Sequence, residues 1–187
     1  MFDLKIDGRE IEKLALDLAL TEKQVRYAMT RALARTTSAL RRMSERGLKS
    51  ELDVRKVSYL RLRLKSVKVR GTRAEGVRLW YGMNDMPVSA LRGRLSSNTK
   101  GATFVGKAGA VSFPNGFVRK ARSGSGPAIL FRRGRERLPV DEGRVPVKDQ
   151  MDSFVEGEIF EQVAAIFWKH FERDALARAK HGVGKGQ

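Results

Sequence analysis

Arg119, Lys120, Arg122, Arg132, Arg133, Arg135 and Arg137 crowd seven basic side chains into residues 119–137, opposed by Glu136 alone. Guanidinium and ammonium groups at this density can neutralise phosphates, and so bind a nucleic-acid backbone without reading its sequence. The same groups also suit a solvated face, or ion pairs with carboxylates across a subunit interface. Residue types alone leave the three open. Phe113, Phe117 and Phe131 are interleaved with nearby cations, but each falls in an apolar run, where core packing is a simpler role than base stacking.

Other chemistries fail for want of residues. The chain has no Cys, which removes thiol nucleophiles, disulfides and thiolate metal sites. Gly106-Lys107-Ala108-Gly109 is too short for a phosphate-cradling loop and lacks the hydroxyl that follows its Lys. His170 and His181 stand eleven apart, on the last helical stretch and its tail, and His170 reads as a packing or surface side chain. Asp141-Glu142 is the best local carboxylate pair, but beside Gly143 it reads as a turn. A Mg²⁺-dependent nuclease needs carboxylates clustered round the ion. The expectation is no catalytic residue, no metal site and no cofactor: not an enzyme.

The elements that carry these cations follow from pattern. Residues 92–137 hold eleven basic side chains against one acid, with Gly and Ser punctuation and apolar runs at 102–105, 110–113, 116–118 and 128–131. That predicts short strands joined by long basic loops. At this charge density the segment must face water, a polyanion or acidic neighbours. Upstream, residues 1–6 alternate as an edge strand, and Ile11, Leu14 and Leu18 recur at helical spacing. Thr21 and Gln24 form a capping box that opens a long helix to about Leu48. Its buried stripe is Val25, Met29, Ala32, Leu33, Leu40 and Met43, with Arg26, Arg31, Arg35, Arg41, Arg42 and Arg46 mostly off it and Gly47 at its end.

Residues 55–73 hold eight basic residues and no acid. Leu60, Leu62 and Leu64 alternate with Arg61, Arg63 and Lys65, after which Val67 and Val69 alternate in the opposite phase. A strand in register cannot change face this way, so a bulge or change of element is expected near Lys65-Ser66. Residues 53–59 also suit a short helical turn. Residues 77–81 form a further strand with Arg78 and Trp80 on one side. Arg61, Arg63, Lys65, Arg78 and Trp80 are therefore candidates for an assembly surface, a buried Trp80 being the simpler account. Residues 138–147, with Pro139 and Pro146, read as extended edge chain. From about Asp149 an amphipathic helix runs through Met151, Phe154, Val155, Ile159, Val163, Ile166 and Phe167. The acids at its start suit the positive end of the helix dipole, and residues 181–187 are expected to fray.

A chain of 187 residues, 41% hydrophobic with nine Phe, has enough apolar material for one domain with a substantial core. The fold class expected is α+β over residues 1–187: N-terminal helices and a C-terminal amphipathic helix packed on a mostly antiparallel, partly irregular sheet with long basic loops. The 38 basic and 21 acidic residues leave +17, a balance that implies nucleic acid, anionic surfaces or acidic protein partners. No apolar run approaches the roughly 20 residues of a membrane-spanning helix, and the N-terminus lacks a signal-peptide pattern. A soluble protein of a cytoplasm is expected.

Several stretches together carry a resemblance. They are residues 28–39 (Ala-Met-Thr-Arg-Ala-Leu-Ala-Arg-Thr-Thr-Ser-Ala), residues 54–64 (Val-Arg-Lys-Val-Ser-Tyr-Leu-Arg-Leu-Arg-Leu), Met86-Pro87-Val88 and Gly116-Phe117-Val118. Ile129-Leu130-Phe131-Arg132-Arg133, Arg137-Leu138-Pro139-Val140 and Arg144-Val145-Pro146-Val147 complete the series. In their order and spacing, over most of residues 25–178, the chain resembles the minor tail protein Z family of tailed phages and prophages. Residues 2–19 lie outside the resemblance. The resemblance implies a virion structural protein that joins the tail late, at its head-proximal end, after assembly in the host cytoplasm. Its implied partners are other tail and neck proteins, such as tail terminator and connector rings, and further copies of itself, a hexamer being one of the open ring sizes. Arg119, Lys120, Arg122, Arg132, Arg133, Arg135 and Arg137 would then face the DNA channel or a neighbouring ring, in nonspecific contact with DNA and with no membrane. Two rivals remain at this level: a nonspecific nucleic-acid-binding protein associated with ribosomes or the nucleoid, and, with least support, a nuclease.

Overall fold

The computed structural model describes residues 8–70, 75–120, 126–134, 136 and 138–183, with side chains for all but 66–70, 75–78 and 120. The strand expected at residues 1–6 lies outside them. The class is α+β, as the sequence implies. Helices α1 (Gly8–Asp17), α2 (Glu22–Glu51) and the short α3 (Ser58–Arg61) precede the strands. Helices α4 (Lys148–Phe154) and α5 (Val163–His181) follow them. Among the described residues, no helix is long and apolar enough to cross a membrane. The chain divides into two compact units, one of residues 1–43, 66–80 and 158–187, the other of residues 44–65 and 81–157.

Helix α2 opens on the expected capping box. The Thr21 backbone N–H donates to Gln24 Oε1 at 3.0 Å, and the Gln24 N–H donates to Thr21 Oγ1 at 3.3 Å. Its buried line is narrower than the stripe expected: Gln24, Ala28, Ala32, Thr36, Leu40, Ser44 and Leu48, one residue in every four. Each step of four residues turns about 40° beyond a full circle, so the line winds slowly round the helix. Val25, Met29, Leu33 and Met43 are its half-buried flanks. The polar members at 24, 36 and 44 break the apolar period, which is why composition placed the stripe a residue to one side.

In the first unit, Ala28 and Ala32 present small side chains, and Phe167 and Phe171 of α5 with Ile11 of α1 close the core over them. The two Phe rings stack at 5.9 Å, and Trp168 meets both edge-on at 5.7 Å. The continuous C-terminal helix expected from about residue 149 is interrupted. A π-helical turn (Val155–Ile159) and a 3₁₀ turn (Phe160–Gln162) separate α4 from α5. Gly157 lies in that interruption, and glycine is the weakest helix former short of proline.

The second unit holds the larger core, which gathers Leu48, Leu52, Leu60, Leu64, Met86, Leu91, Phe104, Ile129, Val145 and Met151 among others. Gly47 does not end α2. It lies in the helix interior because the Phe154 ring is seated on it, with Phe154 Cζ only 2.0 Å from where a Cβ would stand. The helix stops four residues later and the chain turns at Asp53, whose φ is 49°. The alternation of Leu60, Leu62 and Leu64 is not that of a strand. Leu60 lies within α3 and is buried, Leu62 is 76% exposed in the turn, and Leu64 begins β1. The change of element therefore falls just before the Lys65-Ser66 position expected.

Among the described residues the strands form four short sheets: β1 (Leu64–Arg70) with β2 (Glu75–Tyr81), β3 (Met86–Pro87) with β10 (Arg144–Val145), and two of three strands. In one, β5 (Gly101–Gly106) is central between β4 (Arg94–Asn98) and β6 (Gly109–Pro114). In the other, β8 (Pro127–Arg132) is central between β7 (Phe117–Lys120) and β9 (Val140–Glu142). The ladders with described registers are antiparallel. The basic middle is thus strand-built as its apolar runs predict. Contrary to the expectation that it must face outward, it also buries Ala102, Phe104, Ala128 and Ile129 completely or nearly so.

Candidate basic interface

The sheet of β7, β8 and β9 decides what the central cations do. Phe117 is paired with Leu130, and Arg119 with Ala128, so all four side chains share one face. Arg132, two residues beyond Leu130, joins them. Its guanidinium lies over the Phe117 ring, 5.9 Å from the centroid. Arg119 and Arg132 are both exposed. One guanidinium over the Phe117 ring and a second exposed arginine on the same strand face present cations to anything negative.

Arg133, one residue beyond the end of β8, goes elsewhere. It forms a two-point ion pair with Asp141, through Nε and through Nη2 at 2.9 Å. That pair holds the Asp141 carboxyl below the usual carboxylate range, first through the hydrogen bond from Arg133. Asp141 and Glu142 do not sit in a turn, as expected, but in β9, and they part company there: Glu142 Oε1 accepts from the Ser89 backbone N–H at 2.9 Å. Together with Pro87, Phe113, Phe131 and Arg144, these three residues line an open groove of about 510 Å³. Both of its carboxylates are engaged, so it offers guanidinium groups and Phe rings rather than an acid–base pair. Among the described residues no group of three His, Asp or Glu could hold a metal ion.

The remaining candidates spread out. Lys120 ends β7 with its side chain outside the description, and Arg122, Arg135 and Arg137 lie outside the described residues altogether. Arg61 is exposed, its Nε 3.5 Å from Glu45. Arg63 is a clamp on its own unit: it donates to the Gly82, Asn84 and Asp85 carbonyls, the first and last at 3.3 and 3.0 Å. Burial lowers its affinity for the proton, the neighbouring Arg144 lowers it further, and Asp85 opposes both. Lys65 is exposed, Trp80 is half-exposed, and the Arg78 side chain lies outside the description.

What residue order could not reveal is a convergence on Asp174. Arg178 Nε donates to its Oδ2 at 2.7 Å, while Arg31 and Arg35 of α2 approach Oδ1 at 3.5 and 3.7 Å. The only local signal was the one-turn spacing of Arg31 and Arg35; the carboxylate they share lies far along the chain. Comparison with protein-family models, with curated proteins and with solved structures finds no match.

Proposed function

We propose that the chain is a structural, non-catalytic subunit of a tailed-phage or prophage particle, placed at the head-proximal end of the tail. There it would form a ring with further copies of itself, join tail terminator and connector proteins, and expose cations to the DNA passing through. One observation carries the reading. The segments that resemble the minor tail protein Z family are scattered along the sequence, yet Val54, Leu60, Leu64, Met86, Val88, Ile129, Val145 and Val147, drawn from several of them, meet in a single core. Segments that pack in one core are constrained together, which supports reading their order and spacing as features of one fold. The exposed Arg119–Phe117–Arg132 face supplies the cations that a DNA channel or an acidic neighbouring ring requires.

Cryo-electron microscopy of the purified particle that carries the chain is the direct test. The expected result is symmetric density for this chain at the head-proximal end. A fully resolved particle without it removes the proposal. The +17 charge supports a second reading, a nonspecific nucleic-acid-binding protein outside any particle. That reading requires affinity for DNA that falls linearly with salt on logarithmic axes in the free protein.

A further inference from the structure

Asp174 and Arg178 on α5 are both buried and form a close pair, complete in charge by themselves. Arg31 and Arg35 nevertheless crowd the same carboxylate, so three arginines share one acid. Beside them on α5, Arg173 Nη2 stands 3.4 Å from His170 Nδ1. The His170 imidazole is held below its usual range by burial first, then by Arg173, Arg35 and Lys169. Arg31, Lys169 and Arg173 are exposed, and Arg35 is half-buried. Glu172, the next acid along α5, points about 160° round the helix from His170. Three cations thus share one carboxylate, and Lys169 and Arg173 add two more beside His170.

We propose that the ridge formed by Arg31, Arg35, Lys169, His170 and Arg173 is a second polyanion site, and that it takes the phosphodiester backbone of a nucleic acid. Arg31 approaches Asp174 through Nε at 3.5 Å and Arg35 through one Nη at 3.7 Å, and a guanidinium has five N–H donors, so both keep donors for an incoming oxygen. A planar guanidinium matches the oxygens of a phosphate two at a time. The cations also stand in rows: Arg31 and Arg35 on α2, Lys169 and Arg173 on α5, each pair one turn and about 6 Å apart along its helix. Rows suit a chain of regularly repeated charges better than one isolated carboxylate. The +17 of the whole chain adds the long-range attraction. This rests on helix geometry and not on the tail reading, so either can fail alone.

The test uses the full chain and a labelled random-sequence DNA duplex, with affinity read by fluorescence anisotropy from about 50 to 200 mM salt. R31Q/R35Q/R173Q leaves the buried Arg178–Asp174 pair intact. It is expected to flatten the plot of log affinity against log salt by about 0.9 for each phosphate no longer neutralised, up to about 3 in all. R31K/R35K/R173K, which keeps the charge, is expected to retain the slope. Thermal melting checks the fold of each; should the triple variant fail it, K169Q/R173Q touches no Asp174 partner and is expected to flatten the slope by up to about 2. An unchanged slope in a folded variant, or no binding by the wild type at the lowest salt, overturns the proposal. So does poly-L-glutamate displacing the DNA as well as competitor DNA does at equal charge, which would point to an acidic protein surface instead.

Discussion

Gln24 joins two helix ends through one side chain. Its Oε1 accepts from the Thr21 N–H at the start of α2, while its Nε2 donates to the Val183 and Arg178 carbonyls at the end of α5, at 3.1 and 3.5 Å. The residue is fully buried, so no water replaces what it supplies. Q24A leaves donors and acceptors unmet at both ends and should lower the unfolding free energy by about 2 to 3 kcal/mol. Q24E keeps the acceptor but sets a carboxylate against two carbonyls, and should be at least as destabilised. Urea denaturation of both measures this, and a Q24A variant as stable as the wild type would sink the bridging role. The α2 half of this arrangement was legible in the sequence because Thr21 and Gln24 are three apart. The other half joins residues 154 and 159 positions apart, and no local pattern records it. Arg132 and Arg133 teach the same lesson: adjacent in sequence and read as one cluster, they take different partners where β8 ends.

At the scale of elements, the interior of α2 inverts a general rule. Replacing an exposed mid-helix Gly by Ala normally stabilises by about 1 kcal/mol. At Gly47 the new methyl would stand 2.0 Å from the tip of the Phe154 ring, so G47A should instead destabilise by about 1 to 3 kcal/mol. In an F154L background the obstacle is smaller, and the same substitution should be close to neutral or stabilising. A double-mutant cycle measured by chemical denaturation reads this coupling, and G47A stabilising in the wild-type background would refute the contact. The sequence placed the helix correctly and misread this glycine as its end, since a helix stop and a site of close approach both demand the smallest residue. Strands β5 to β8 were legible as apolar runs between Gly and Ser. The Leu60–Leu64 stretch was not, because a short helix followed by a turn can imitate alternation when charged residues fill the gaps. Arg63 was missed as a clamp for a related reason: its acceptors are backbone carbonyls, which carry no sequence signal.

For the whole molecule the governing quantity is +17 spread over 187 residues. Self-repulsion of that size opposes the compact state and is screened by salt. The attractive side is thinner. Arg61–Glu45, Arg92–Asp53 and Arg133–Asp141 each have an arginine more than half exposed, and such pairs contribute little net stability. The Asp174–Arg178 pair is buried, so mobile ions barely reach it. Screening therefore removes more repulsion than attraction. Raising KCl from about 50 to about 500 mM should lift Tm by roughly 3 to 6 °C, the equivalent of about 1 to 2 kcal/mol in a chain of this size. Phosphate at equal ionic strength should lift it further, because an anion that binds the folded cation clusters adds stabilisation by mass action. Differential scanning calorimetry in the two salts separates these contributions. A Tm that falls with KCl would mean that exposed ion pairs, rather than repulsion among unpaired cations, dominate the electrostatics of the fold. A rise that is the same in chloride and phosphate would mean that the cation clusters hold no anion in the folded protein.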